Sequence, residues 1–367
     1  MFITFYDENF IPLINNSSLN IEKFKLKKRS YDTNEFSCTC EPISVDIEPL
    51  FATIKNNQGE RQYDMLRPII TIDKGNKSNV IARDLFAVFN TEVFIDFSTF
   101  SGITVAQFFQ FIFNKWKAWD SSGFTNVVLN LNFVDLSGPL YRPAILYTPT
   151  ESGVYNILDL FKRALSLYGL YIDSEINIHP SAKSLEFTIR KSDEYIQNIR
   201  LEDFGIENFQ KYEPSVNTAI VYATRAGGTI RDNWYLLKDG TISANPVLRD
   251  VFPTRSQIFY VDGDELDENN SGKTQAEKNA AFADAVNEAT FNAVSELAKN
   301  RYKEMIAVNI IKDYDRLKNV GFNTCFNVYY RNQFYKTLPI GEIEEDGTEN
   351  RILRIGLKEL NFIQIIW

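Results

Sequence analysis

Ile21-Glu22-Lys23-Phe24-Lys25-Leu26-Lys27-Lys28-Arg29 is followed, across Asp32-Thr33-Asn34, by Glu35-Phe36-Ser37-Cys38-Thr39. Successive side chains of a strand point to opposite faces, so Phe24 and Leu26 share one side while Lys23, Lys25 and Lys27 share the other. Asp-Thr-Asn is turn chemistry, and the two segments are expected to pair as an antiparallel hairpin. Two more turn signals, Asn56-Asn57-Gln58-Gly59 and Asp73-Lys74-Gly75-Asn76, flank the apolar Pro68-Ile69-Ile70-Thr71-Ile72. Short strands between polar turns, with no helical period, predict a β sandwich or barrel for residues 1–99.

The period then changes. Thr104 with Gln107 forms a capping-box signature, and behind it Val105, Phe108, Phe109, Ile112, Trp116 and Trp119 step along one helical face. Gln107, Gln110, Asn114 and Lys117 line the opposite face. A second stripe runs through Ile157, Leu160, Phe161, Ala164, Leu165 and Tyr168, and Gly169 ends it. Leu170 to Ile178 and Ser184 to Lys191 read as paired strands around a His-Pro-Ser-Ala turn. Residues 100–200 are therefore expected to be an α/β unit.

Beyond Leu201, Asn217–Thr224 and Trp234–Leu237 read as strands, with turns at Ala226-Gly227-Gly228 and Asp239-Gly240. Asp262 to Gly272 reads as an acidic loop, and an alanine-rich helix is expected from about Thr274 to Ile306. That helix would be roughly 45 Å long, with Phe282, Val286, Ala289, Ala293 and Leu297 on its stripe. Strands return at Thr324–Tyr330 and Arg351–Leu357. The order predicts a second β domain, residues 201–260 and 313–367, with a helical insertion at 261–312. No internal sequence repeat stands out. The expected fold class is α+β and multidomain.

Composition excludes several functions. The 367 residues are 44% hydrophobic and 24% charged, which argues for folded domains over disorder. No apolar run approaches the ~18–20 residues of a membrane span, and Met1–Phe10 lacks the pattern of a signal peptide. A net charge of −9 disfavours tight binding to phosphate backbones. The single histidine, His179, rules out multi-histidine metal sites, and the three cysteines, Cys38, Cys40 and Cys325, fit reduced thiols better than a disulfide framework.

Each candidate for chemistry has a plainer reading. His179 lies in a turn with no nucleophile motif beside it. Cys38 and Cys40 share one strand face, but a metal site needs two more soft ligands and Cys325 alone remains. Gly272-Lys273-Thr274 precedes a helix, yet the earlier glycine of a phosphate loop is replaced by Asp267. Asp262-Gly263-Asp264 opens like a calcium loop, but Leu266 stands where an oxygen ligand is needed. Lys23–Arg29 reads as a solvated strand face whose lysines protect an edge. Asp135 and Glu186 have no readable separation. The expected catalytic, cofactor-binding and metal residues are none, and the chain is not expected to be an enzyme.

Five features follow one another in the second half: Asn217-Thr218-Ala219-Ile220-Val221-Tyr222, then Asp239-Gly240-Thr241-Ile242, then Ala298-Lys299-Asn300-Arg301-Tyr302, then Gly321-Phe322, then Val328-Tyr329-Tyr330-Arg331-Asn332-Gln333-Phe334-Tyr335. With the opening Ile21 to Phe36 and its Tyr31-Asp32-Thr33-Asn34-Glu35-Phe36, this order resembles the baseplate hub proteins of long-tailed (siphovirus) phages, the N-terminal structural module of tail-associated lysins. The resemblance implies two tail-tube-like β domains, an α/β domain between them and a helical insertion in the second. It implies a homotrimer whose six similar domains match a sixfold tail tube, closing the distal tail tip of the virion until DNA passes. Implied partners are the distal tail ring protein and the tape-measure protein, with receptor-binding proteins contacted indirectly. Genomic DNA would pass without specific binding, and no membrane insertion is expected. Many relatives continue into a peptidoglycan hydrolase; the chain ends at Trp367, just after the last hub strands, so lytic activity is not expected. A carbohydrate-binding receptor module and a cell-wall hydrolase of the baseplate remain alternatives.

Overall fold

The expected N-terminal hairpin forms, and a barrel closes around it. The computed structural model of the chain describes residues 1–14, 18–30, 32–43, 47–72, 77–102, 104–120, 127–136, 152–179, 182–203, 205–210, 216–237, 242–244, 255–300, 305–311, 317, 320–347 and 350–356. Strands β1 (Phe2–Tyr6), β2 (Leu19–Arg29), β3 (Glu35–Cys40), β4 (Phe51–Lys55), β5 (Arg61–Ile72) and β6 (Ser78–Asp84) are arranged β1-β4-β5-β6-β3-β2. Every neighbouring pair is antiparallel, and β1 also pairs with β2, which closes the ring. A bulge between Ile21 and Lys23 shifts the alternation of β2 by one residue. Buried Leu19 and Ile21 therefore share the inner face with Phe24 and Leu26. The Asn56–Gly59 turn forms as expected; Asp73–Asn76 lies outside the described residues.

An aromatic bolt joins this barrel to the next layer. That layer contains β7 (Glu92–Ile95), α1 (Val105–Asp120), β8 (Val128–Phe133), β9 (Gly153–Asn156), α2 (Ile157–Tyr168), β10 (Leu170–His179) and β11 (Ala182–Lys191). The sheet order is β10-β11-β8, and β7 pairs with β9. Leu85–Phe89, a 3-10 turn leaving the barrel, inserts Phe89 between the rings of Phe161 and Trp116, both with centroids 4.6 Å away, and Phe187 at 4.8 Å. Both helices start as their residues dictate, and α2 stops so too. Thr104 and Gln107 cap α1 reciprocally, Asn156 caps α2, and Gly169 ends it at φ 62°, a left-handed conformation that side chains resist. The α2 stripe is buried throughout. Trp119 differs from expectation: it has the right angle around α1, but it lies in the last turn and is 64% exposed.

The third segment corrects two expectations. After β12 (Tyr195–Arg200) and β13 (Gly205–Gln210), strands β14 (Thr218–Arg225), β15 (Gly228–Leu236), β16 (Ile242–Ser243) and β17 (Ser256–Asp262) form a sheet of their own, ordered β16-β15-β14-β17. The turn at Ala226-Gly227 is present, while Asp239-Gly240 lies outside the described residues. Residues Gly263–Asn269, expected as loop, are helix α3. Asp262 accepts the Asp264 and Glu265 amides at 3.1 Å, and Asp264 and Glu265 sit where the helix dipole favours negative charge. Gly263 is required where α3 crosses β14, because a Cβ there would lie 2.5 Å from the Thr224 carbonyl oxygen. Helix α4 ends at Asn300 (Gln275–Asn300), and Met305 and Ile306, expected as helix, begin strand β18 (Met305–Ile311). The run Ile306-Ala307-Val308-Asn309-Ile310-Ile311 is rich in β-branched residues, which favour strand.

Strands β19 (Thr324–Tyr330), β20 (Gln333–Glu345) and β21 (Asn350–Ile355) complete a second six-stranded unit, ordered β12-β19-β20-β21-β18-β13. Arg331 and Asn332, at φ 52° and 61°, make the two-residue turn between β19 and β20. The strand pairings thus place β12 with this unit and give β14–β17 a separate sheet. Counted in chain order within each unit, both six-stranded sets read 1-4-5-6-3-2. The one difference in sense is that β12 and β19 run parallel whereas β1 and β4 run antiparallel.

Replacing Phe89 by alanine should cost about 3–5 kcal/mol, because it empties the space between three elements that meet on one ring. Equilibrium urea unfolding of Phe89→Ala checks this, and a loss under ~1 kcal/mol would show that the bolt is not needed.

Candidate functional site

Lys25, Lys27, Arg29, Arg354, Glu35, Glu342 and Glu344 gather at the junction of the two six-stranded units. Over Leu26–Arg29, β2 pairs antiparallel with β20, from Leu26 opposite Glu345 to Arg29 opposite Glu342. Over that stretch β2 is therefore not an edge for its lysines to protect, while Lys23 and Lys25 stay exposed, as the reading of a solvated face expects. Lys25 reaches Glu344 at 2.7 Å and Lys27 reaches Glu342 at 3.0 Å. Arg354 on β21 binds both acids, at 2.6 and 3.0 Å, and Arg29 lies 3.2 Å from Glu35 and 3.7 Å from Glu342. Burial alone would raise the Glu344 carboxyl, but Lys25 and Arg354 hold it below the usual carboxylate range. Opposite charges on facing strands add to the pairing, and a shared network adds more than isolated surface pairs do.

On the other face of these strands lies a cavity of about 440 Å³. Its walls come from β2, β5, the end of β6, β10, residues 320–323 and the β20–β21 pair. Alternation puts Lys28 on the inward face with Phe24 and Leu26, and its ammonium sits 4.2 Å from the centroid of the Tyr63 ring. Burial lowers the Lys28 pKa, although Glu345 opposes the shift. Asp64 ties the barrel to β10: it accepts from Thr53 Oγ1 at 2.9 Å, from the Arg61 guanidinium, and from the Ile176 amide at 2.8 Å. Asp173 pairs with Arg190 at 3.0 Å, and Glu345 with Arg351 at 3.1 Å.

Asp84 is the exception in this wall. It is 7% exposed and its Oδ1 has no hydrogen-bond partner. Burial pushes its carboxyl up to about 7, and the nearby Asn34 and Phe86 amides offset this only in part. Tyr63 and Tyr171 are likewise raised by burial. The alternation that places Lys28 inward is the one sequence signal for this cavity.

The residues singled out from sequence serve local structure. The His179 backbone pairs with Ala182 at the end of the β10–β11 hairpin, and Pro180-Ser181 lies outside the described residues. Cys38 and Cys40 are buried thiols in the first barrel, and Cys325, buried in the second unit, donates to the Ser192 carbonyl at 3.3 Å; none of the three is in a disulfide. Thr274 of Gly272-Lys273-Thr274 caps α4 together with Glu277. Asp262 caps α3, Asp264 accepts the Ala226 amide at 2.7 Å, and Asp267 binds the Arg225 guanidinium twice at 2.8 Å. Glu186 accepts from Asn130, Asn132 and Ser184, whereas Asp135 lies 3.4 Å from Lys191. Among the described residues no group of three His, Cys, Asp or Glu side chains is placed to hold a metal, and no helix is long and apolar enough to cross a membrane.

No known family model matches the sequence, and no curated protein does. Solved structures do. The chain is similar to a component of the phage p2 virion baseplate in its activated conformation, with 12% identity and a TM-score of 0.47 over 97% of this chain and 98% of that one. It is similar to the prophage tail protein gp18 from Listeria monocytogenes EGD-e, with 10% identity and a TM-score of 0.46 over 98% and 95%. A third is the Escherichia coli c3393 protein, a type VI secretion system component described as similar to T4 tail proteins gp27 and gp5. There the identity is 9% and the TM-score 0.39, over 94% of this chain and 75% of that one.

Glu342→Ala should cost about 1–3 kcal/mol, because it leaves Lys27, Arg29 and Arg354 facing one another. Adding Arg354→Met should return part of the loss. Urea midpoints of the single and double variants test both, and a neutral Glu342→Ala would mean that backbone pairing alone holds the junction.

Proposed function

We propose that the chain is a structural hub of a phage baseplate, without catalysis and without a cofactor. The observation that carries this reading is the pair of six-stranded units with one strand order, fused through β2 and β20. A chain with two similar units can make six similar positions from three copies, which is what a ring seated on a sixfold tube requires. The sequence features that resemble tail-associated lysins occur in the order expected of such a hub.

In this reading residues 1–84 are the first tube-like domain, and 195–210 with 305–355 the second. Residues 85–191 are the α/β domain between them, and 218–300 the insertion. Three copies close the distal end of the tail tube in the virion and open for DNA passage. The distal tail ring protein and the tape-measure protein are the neighbours, and receptor-binding proteins are reached through the baseplate. Three chains at −9 each make an acidic ring, which repels a passing phosphate backbone.

Light scattering across a concentration series tests the ring. The expected species has three times the chain mass of 42.3 kDa, and micrographs of it show sixfold-like rings. A monomer at every concentration, with no ring in the micrographs, overturns assembly by this chain alone.

A further inference from the structure

We infer that the cavity between the two six-stranded units is a proton-operated joint: it closes when Asp84 is protonated, and ionised Asp84 loosens β5 and β6 from β10 and the β20–β21 pair. The inference rests on the cavity itself and does not depend on the ring proposed above. Three layers meet at this one point, and a buried carboxylate oxygen at its edge lacks a hydrogen-bond partner. Such an oxygen can stay dry only as part of a neutral acid, since an unpaired buried charge is far more costly than an unpaired polar group. Burial raises the Asp64 and Asp173 carboxyls as well, but the other acids of the wall have partners. Asp64 has Arg61, Thr53 and the Ile176 amide, Asp173 has Arg190, and Glu345 has Arg351.

Burial sets the direction, the Asn34 and Phe86 amides oppose it, and the charges around Asp84 adjust it. From the loop after β2, Asp32 raises its pKa, and Lys162 of α2 partly neutralises Asp32 at 2.8 Å. Arg29 at the end of β2 lowers it, but that guanidinium is already engaged by Glu35 and Glu342. From β2 the cavity receives Lys28, from β5 Tyr63 and Asp64, from β10 Tyr171 and Asp173, from β20 Glu345 and from β21 Arg351. Lys28 is the one cation of the wall with neither hydrogen bond nor ion pair among those described, and it rests on the Tyr63 ring. An open seam lets Lys28 and ionised Asp84 both take up water.

Sign and size follow from linkage. A carboxyl at about 7 in the closed form and 3.8 in the open form binds its proton more tightly when closed. Closure therefore weakens as pH rises between these values and changes little above about 7. The opening constant should rise about fifty-fold from pH 5 to pH 7, and only about twofold more by pH 8.

Hydrogen exchange of the full chain, followed by mass spectrometry at peptide level and corrected for the intrinsic pH dependence, reads this directly. In the wild type, exchange over β5, the end of β6 and β10 should rise as stated, while the far strands of each unit stay level. Asp84→Asn should abolish the step and keep the low-pH protection at all pH values. Asp173→Asn should retain it. A flat wild-type profile, a change spread evenly over both units, or a step that survives Asp84→Asn or disappears in Asp173→Asn would each overturn the joint. Should Asp84→Asn fail to fold, the position and shape of the wild-type step still decide.

Discussion

The structure depends on two strands that are longer than the sheets they belong to. β2 has 11 residues and β20 has 13. One edge of β2 is shared between two partners: Leu19–Asn20 meets β1 and closes the first barrel, and Leu26–Arg29 meets β20. β20 divides one edge in the same way, with Gln333–Pro339 on β19 and Glu342–Glu345 on β2. Each overhang would be an unpaired edge by itself, with exposed amides and carbonyls able to recruit any other strand. Pairing the two overhangs removes both edges at once. It also fixes the two units relative to one another through backbone hydrogen bonds, so side-chain packing need not do so alone.

This arrangement explains where the charge went. A strand with lysine at every second position looks, alone, like a basic surface. Here Lys25 and Lys27 pair with Glu344 and Glu342 on the neighbouring unit, which favours this register. A shift of β2 by one residue would turn Lys25 and Lys27 inward and Leu26 outward, which both faces oppose. The surplus of acids over bases in the chain is thus not compensated at this junction, and the protein stays acidic as a whole.

Local features were legible from sequence and non-local ones were not. The β2–β3 hairpin, the capped starts of α1 and α4, the α2 stripe and the Gly169 stop all follow from signals within a few residues. α3 was missed because acidic composition resembles loop, although an Asp before Gly-Asp-Glu is also a helix start. The end of α4 was misplaced because the good helix formers Lys299, Arg301, Lys303, Glu304 and Met305 lead on to a strand whose β-branched residues begin only at Ile306. The repeated strand order left no trace in sequence, since alternation specifies a strand face and not a residue identity. Nothing near Leu26 announces a partner more than 300 residues away. Lys28 was readable in principle: two residues after Leu26, it falls on the inner face, where a lysine calls for an explanation.

That lysine belongs to a seam which packing could have filled and did not. Barrel, α/β layer and second unit approach the cavity from different directions, and their backbones leave polar groups that an apolar filling would strand without partners. A wall of phenols, one resting ammonium and acids that are paired except at Asp84 can instead exchange its hydrogen bonds with water when the layers part. Apolar interfaces lose far more on opening, roughly 25 cal/mol for each Å² exposed. The first barrel and the Phe89 cluster are apolar, whereas the wall of this cavity is largely polar. In the proton-operated joint proposed above, this distribution puts the opening at the cavity and keeps it out of the cores.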